Sequence, residues 1–174
     1  AVHSIQQRAA AVAALLIAVG YLVAFAQEEL PDFPADDFPG LAPGATVMSW
    51  RGVSGGIAAA QQGHDVIMTP TSHAYFDYAQ GEPGLEPFSI GGNIPLERVY
   101  AFEPVPPVLT PEQARHVLGA RGNVWTEYMK TPDRVEWMVF PRMLAMAEVN
   151  WSPASVRDWE RFIARLPSAL AALD

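Results

Sequence analysis

From residue 45 onward the chain alternates short apolar stretches with helix-forming ones, and no other feature restricts its fold so much. Residues 45–50 (ATVMSW) read as a strand and residues 55–62 as a helix, closed by Gly63, which suits a left-handed cap. Residues 64–68 (HDVIM) read as a second strand, apolar enough to be buried on both faces. A Gly- and Pro-rich loop fills residues 70–107. Thr110 then caps a helix that has Pro111 in its first turn and runs to about Leu118. Asn123, Val124 and Trp125 form a third short strand. Asp133 caps a long amphipathic helix through Glu148, and residues 154–173 give one or two terminal helices. Strand and helix in strict turn predict a parallel α/β architecture.

The upstream residues differ in kind. The apolar run of residues 9–26 opens on Ala9, just after Arg8, and closes on Ala26 with a small-x-small ending before an acidic stretch. Three readings stay open for residues 1–26: a signal-like segment, a membrane anchor near the lower length limit for crossing a bilayer, or an Ala/Leu-rich helix on a soluble core. The first two predict a secreted, periplasmic or membrane-associated protein. Residues 27–44 interleave Pro31, Pro34, Pro39 and Pro43 with Asp32, Asp36 and Asp37, a composition that sustains neither a helix nor a central strand. They read as a linker, and Asp36-Asp37 as a solvated face rather than a catalytic dyad.

Charge and composition exclude whole classes of function. With 11 Lys+Arg against 19 Asp+Glu, the net charge of -8 repels a phosphate backbone, so nucleic acid is not an expected partner. The absence of cysteine removes disulfides, thiolate metal sites and thiol nucleophiles. His3, His64, His73 and His116 lack ligand-like spacing, so no metal or cofactor is expected; His64 and His73 are candidates for a pocket mouth. Gly55-Gly56 and Gly91-Gly92 lack the Lys-Ser/Thr of a phosphate-cradling loop. Met129, Met138, Met143 and Met146 lie near helical spacing, which favours core packing.

In a (β/α)8 barrel, chemistry sits where the C-terminal ends of the strands meet their loops. The polar and aromatic residues of this chain cluster at those positions: Trp50 after the first strand, Tyr75 and Asp77 after the second, Trp125 and Glu127 after the third. A pyranose site needs flat apolar walls for the ring and carboxylates for its hydroxyls, and these are such residues. Each also has a plainer reading: core packing for either Trp, loop capping for Asp77, a salt bridge to Arg142 for Glu127.

Five ordered blocks decide between these readings. They are Met48-Ser49-Trp50-Arg51-Gly52; Gly63-His64-Asp65-Val66-Ile67-Met68-Thr69-Pro70; Tyr75-Phe76-Asp77-Tyr78; Gly122-Asn123-Val124-Trp125-Thr126-Glu127; and Phe140-Pro141-Arg142 with Ala147-Glu148 and Trp151. In order and spacing they resemble the β-N-acetylhexosaminidases, the family 20 glycoside hydrolases, from about Pro39 to the C-terminus. The resemblance implies that residues 45–174 are the last three strand-helix units of a (β/α)8 TIM barrel plus C-terminal helices. It implies exo-hydrolysis of terminal N-acetylglucosamine or N-acetylgalactosamine with retention, the substrate's own acetamido oxygen acting as nucleophile. By the same resemblance Tyr75 donates to the acetamido oxygen, Asp77 and Glu127 hold the C4 and C6 hydroxyls, and Trp50 and Trp125 wall the pocket.

One part of the family pattern is missing. Its catalytic Asp-Glu pair, set in His-x-Gly-x-Asp-Glu, has no counterpart among these residues, and a Trp expected just before the Met-Ser-Trp block is replaced by the stretch from Phe33 to Phe38. The expectation is therefore a partial gene product that holds the sugar but does not cleave it alone. A non-catalytic carbohydrate-binding module and a membrane-anchored piece completed by a partner are the alternatives. Three strands cannot close a barrel, and open edges invite self-association.

Overall fold

The computed structural model describes residues 41–82 and 84–173, and three parallel strands organise them. Strand β1 (Thr46–Ser49), helix α1 (Ser54–Gln61) and strand β2 (Asp65–Met68) come first. After them follow α2 (Leu96–Tyr100), α3 (Pro111–Ala114), β3 (Val117–Ala120), α4 (Pro132–Val139), α5 (Arg142–Trp151), a 3-10 turn at Ala154–Val156, and α6 (Trp159–Ala171). The strands lie in the order β1-β2-β3, all parallel, so their C-terminal ends share one edge of the sheet. The α/β reading holds in this form, a parallel sheet with helices packed on it. The apolar run from Ala9 to Ala26, the stretch from Phe33 to Phe38 with Asp36-Asp37, and all but the last residues of the linker lie outside the described residues. Among the described residues no helix is long and apolar enough to cross a membrane.

The central strand β2 sets the core. Val66 and Met68 are fully buried against Ala59 and Ala60 of α1, together with Phe102 and Val149. Burial of side chains this size contributes about 1.5–3 kcal/mol each. A second cluster gathers Ala74, Phe76, Ile94, Val99, Tyr100, Ala145, Met146 and Phe162, and joins the loop after β2 to α2, α5 and α6. Tyr100 and Glu148 lock these helices together: the phenol donates to Glu148 Oε1 at 2.9 Å and accepts from the Asp158 amide at 2.8 Å. Arg165 closes the group on Glu148 Oε2 at 2.6 Å.

Several boundaries differ from those the sequence predicts. The third strand lies at Val117–Ala120, not at Asn123 to Trp125, because pairing with β2 overrides the helical propensity of those residues. The Thr110 cap is present as a full capping box with Gln113, yet the helix it starts ends at Ala114. In β3 the register slips between Val66 and Ile67, so Leu118 is an extra, largely exposed residue beside Gly119. Gly119 sits at φ 132°, a conformation that side chains with a Cβ rarely adopt, and this allows the bulge. The predicted helix through Glu148 is two helices: Pro141 forces Phe140 out of the α region and ends α4. Its cap is Thr131, whose hydroxyl accepts from the Arg134 amide, while Asp133 lies inside the first turn. The loop drawn through residues 70–107 contains α2, held by the burial of Val99 and Tyr100.

Candidate active site at the strand tips

Since the strands are parallel, the loops leaving Ser49, Met68 and Ala120 emerge side by side. The Ser49 hydroxyl shapes the first of them, donating to the Gly52 carbonyl at 2.7 Å and accepting the Gly56 amide at 2.9 Å. That turn carries Trp50, half-buried, with the Arg51 guanidinium 4.8 Å from its ring centroid. The second and third loops are joined more closely. A backbone bridge pairs Tyr75 with Asn123, and the Cβ that Gly122 lacks would collide with the buried ring of Phe76.

This bridge brings four of the five predicted residues together. Burial first, then the neighbouring Asp77 and Tyr78, push the Tyr75 phenol up to about 12, against the opposing influence of the Trp125 and Asn123 side chains. It stays protonated, a standing donor, across the whole physiological range. Asp77 is only 4% exposed, and its Oδ1 has no hydrogen-bond partner. Burial raises its carboxyl to about 6; its own backbone amide opposes this, Glu127 adds to it, and Arg142 opposes it again. Glu127 and Trp125 are exposed, Trp125 at 51%.

A recess opens beside these residues, walled by Asp77, Trp125, Phe88, Tyr128, Met138 and Arg134 among others. Phe88 and Tyr128 meet edge to face at 4.9 Å, and Arg134 lies 4.3 Å over the Trp137 ring while donating to the Pro87 carbonyl. Tyr75, Asp77, Trp125 and Glu127 thus share one locality. Trp50 stands at the tip of β1 and does not line the recess.

The plainer readings fare unevenly. Trp125 is too exposed for a core residue. Arg142 does not pair with Glu127: it is wholly buried and donates to backbone carbonyls. Asp77 does not spend both oxygens on capping its loop. His64 lies at the N-terminal end of β2, opposite the strand tips, and His73 stacks on Phe102 at 4.9 Å; neither lines the recess. Met129 and Met138 are buried but line the recess, Met129 from a loop rather than a helix. Sequence reasoning missed Phe88, Tyr128 and Arg134 because they have no fixed spacing from the strand ends; only Arg134, one turn after the Thr131 cap, had a local signal.

Comparison with known proteins identifies the family. The model of the glycosyl hydrolase family 20 catalytic domain matches residues 32–154. A β-hexosaminidase of Porphyromonas gingivalis is 52% identical over 136 residues, covering 78% of this chain and 18% of that protein. A β-N-acetylhexosaminidase of Cellulomonas fimi is 37% identical over 134 residues, covering 72% of this chain and 26% of that protein. The crystal structure of a family 20 exo-β-N-acetylglucosaminidase from Vibrio harveyi, in complex with N-acetylglucosamine, superposes with a TM-score of 0.63 at 32% identity. That superposition covers 74% of this chain and 20% of the other. The chain thus spans about a quarter or less of the relatives it matches, and by the extent of the match it belongs to glycosyl hydrolase family 20.

Proposed function

We propose that this chain forms the sugar-holding wall of a β-N-acetylhexosaminidase, as the last three strand-helix units of its (β/α)8 barrel. The observation that carries the reading is the buried Asp77 carboxylate with an unpartnered oxygen, beside a protonated Tyr75 and an exposed Trp125. A buried acceptor without a partner costs about 1–3 kcal/mol, and a sugar hydroxyl would recover that cost on binding. Tyr75 would donate to the acetamido oxygen of a terminal N-acetylglucosamine or N-acetylgalactosamine, aligning it for attack on the anomeric carbon. Asp77 and Glu127 would accept the C4 and C6 hydroxyls, with Trp125 against the ring face.

Cleavage by the family's route also needs a carboxylic acid to protonate the leaving oxygen and an Asp to orient the acetamido N–H. Neither has a matching motif among the 174 residues. The chain therefore contributes binding and alignment, and the acid comes from strands outside it. The test is a chromogenic N-acetylglucosaminide offered to the chain alone, then with a polypeptide supplying the Asp-Glu strands. Turnover is expected only in the second case and is lost with Glu127→Gln; turnover by the chain alone would refute this division of labour.

A further inference from the structure

Arg142 heads the largest side chains wholly withdrawn from solvent. Its guanidinium donates to three stretches of backbone: Nη2 to the Phe76 carbonyl at 2.7 Å, Nη1 to the Ile94 carbonyl at 3.1 Å, and Nε and Nη2 to the Met138 carbonyl at 3.2 and 2.5 Å. The cation also lies 5.0 Å from the centre of the Phe76 ring. A buried guanidinium ordinarily pairs with a carboxylate, since an unpaired charge in the interior is costly. Here every one of these hydrogen bonds ends on a carbonyl, and Asp77 and Glu86 act on the cation through space.

The three stretches matter because of where they lie. Phe76 immediately precedes Asp77, Ile94 closes the long loop that also carries Phe88, and Met138 lines the recess. We infer that Arg142 is a positioning residue: it pins three stretches of backbone, one adjoining Asp77 and one lining the recess with it, and supplies positive charge at a distance, so that Oδ1 stays free for a sugar hydroxyl. A bidentate Arg-carboxylate pair at the same place would engage both carboxylate oxygens and leave neither wholly free for a ligand. With the fork committed to carbonyls, the carboxylate gains the field of the cation without being capped by it. The other groups facing Asp77 are Glu127 from the loop after β3, Tyr75 and Tyr78 from its own loop, and Arg134 of α4 across the recess.

The inference rests on the sugar-holding reading, and its test separates the two. The Asp77 carboxyl is titrated by carbon-detected NMR in the wild type, Arg142→Lys and Arg142→Met, and each is titrated with N-acetylglucosamine. Arg142→Met is expected to raise the Asp77 midpoint, by less than burial itself raises it, because the opposing charge is gone. It is also expected to weaken sugar binding at least about tenfold. Arg142→Lys keeps the charge, so the midpoint holds, but a single ammonium cannot replace the planar fork, and binding weakens several-fold. A folded Arg142→Met with an unmoved midpoint would overturn the inference, as would Arg142→Lys binding sugar like the wild type. If Arg142→Met does not fold, the lysine variant decides alone. The carboxyl titration needs no sugar, so midpoints that move as expected in a protein that ignores N-acetylglucosamine count against the sugar-holding reading and not against Arg142.

Discussion

Tyr75 and Asn123 are paired through the backbone, and the pairing holds the two richest loops of the site in register. The Phe76 amide donates to the Asn123 carbonyl at 2.8 Å, and the Asn123 amide donates to the Ala74 carbonyl at 2.6 Å, one bond on either side of Tyr75. The Asn123 side chain, itself buried, also acts on the phenol, easing its ionisation against the effect of burial. Asn123→Ala keeps the backbone pairing and removes the buried side-chain amide. Urea unfolding should show a loss of about 1–3 kcal/mol, with weaker N-acetylglucosamine binding. A variant as stable as the wild type would mean that the amide contributes nothing to the site.

Tyr75→Phe isolates the hydroxyl from the ring. The ring packs beside Tyr78, centroids 5.4 Å apart, and loses little when the oxygen is deleted. Stability should change by about 1 kcal/mol or less, whereas binding of N-acetylglucosamine should fall about tenfold, the worth of one hydrogen bond of about 1.4 kcal/mol. Isothermal titration beside a thermal melt separates the two effects. Equal losses in both would make Tyr75 a packing residue.

Asp77 gives the protein a pH dependence of defined sign. Burial raises its carboxyl from 3.8 to about 6, so the folded state holds the proton more tightly than the unfolded chain. The stability gained from that proton is full below about pH 4 and lost as the pH rises through about 6. Asp77→Asn removes the dependence. Urea melts should find it about 1–3 kcal/mol more stable than the wild type at pH 8 and nearly equal at pH 4, each pKa unit being worth about 1.4 kcal/mol. A difference that is the same at both pH values would contradict a buried, ionisable Asp77.

Asn150 closes part of the outer edge of β3. Its Oδ1 accepts from the Ala120 amide at 2.7 Å, and its Nδ2 donates to the Ala120 carbonyl at 2.8 Å, the two bonds that a neighbouring strand would make. Beside it the bulged Leu118 faces solvent. Asn150→Ala frees both backbone groups of an edge strand. Sedimentation velocity should detect more self-association in the variant than in the wild type at equal concentration. Unchanged sedimentation would show that the amide does not guard the edge.

Much of this molecule is legible in its sequence, and the exceptions have physical causes. The first two strands and the helix between them follow from local apolar patterning, which burial then fixes. The third strand did not follow, because Val117–Ala120 is short, bulged and adjacent to a good helix start; only pairing with Val66 makes it a strand. The break at Pro141 was legible, since proline restrains the residue before it, and the helical period of the methionines obscured it. In the candidate site, the proximity of Tyr75, Asp77, Trp125 and Glu127 could be read from their places in the loops after strands. The role of Arg142 could not: its bonds to the Phe76 and Ile94 carbonyls span 66 and 48 residues and leave no trace in residue spacing.

The proposed convergence of Tyr75, Asp77, Trp125 and Glu127 on one amino-sugar pocket is tested most directly by two-dimensional amide NMR of the chain titrated with N-acetylglucosamine and, separately, with glucose. Saturable shifts should gather at these four residues and their neighbours, shrink in Trp125→Ala and Glu127→Gln, and be weaker with glucose, which has no acetamido group for Tyr75. Shifts scattered over the surface, or equal for the two sugars, would contradict it.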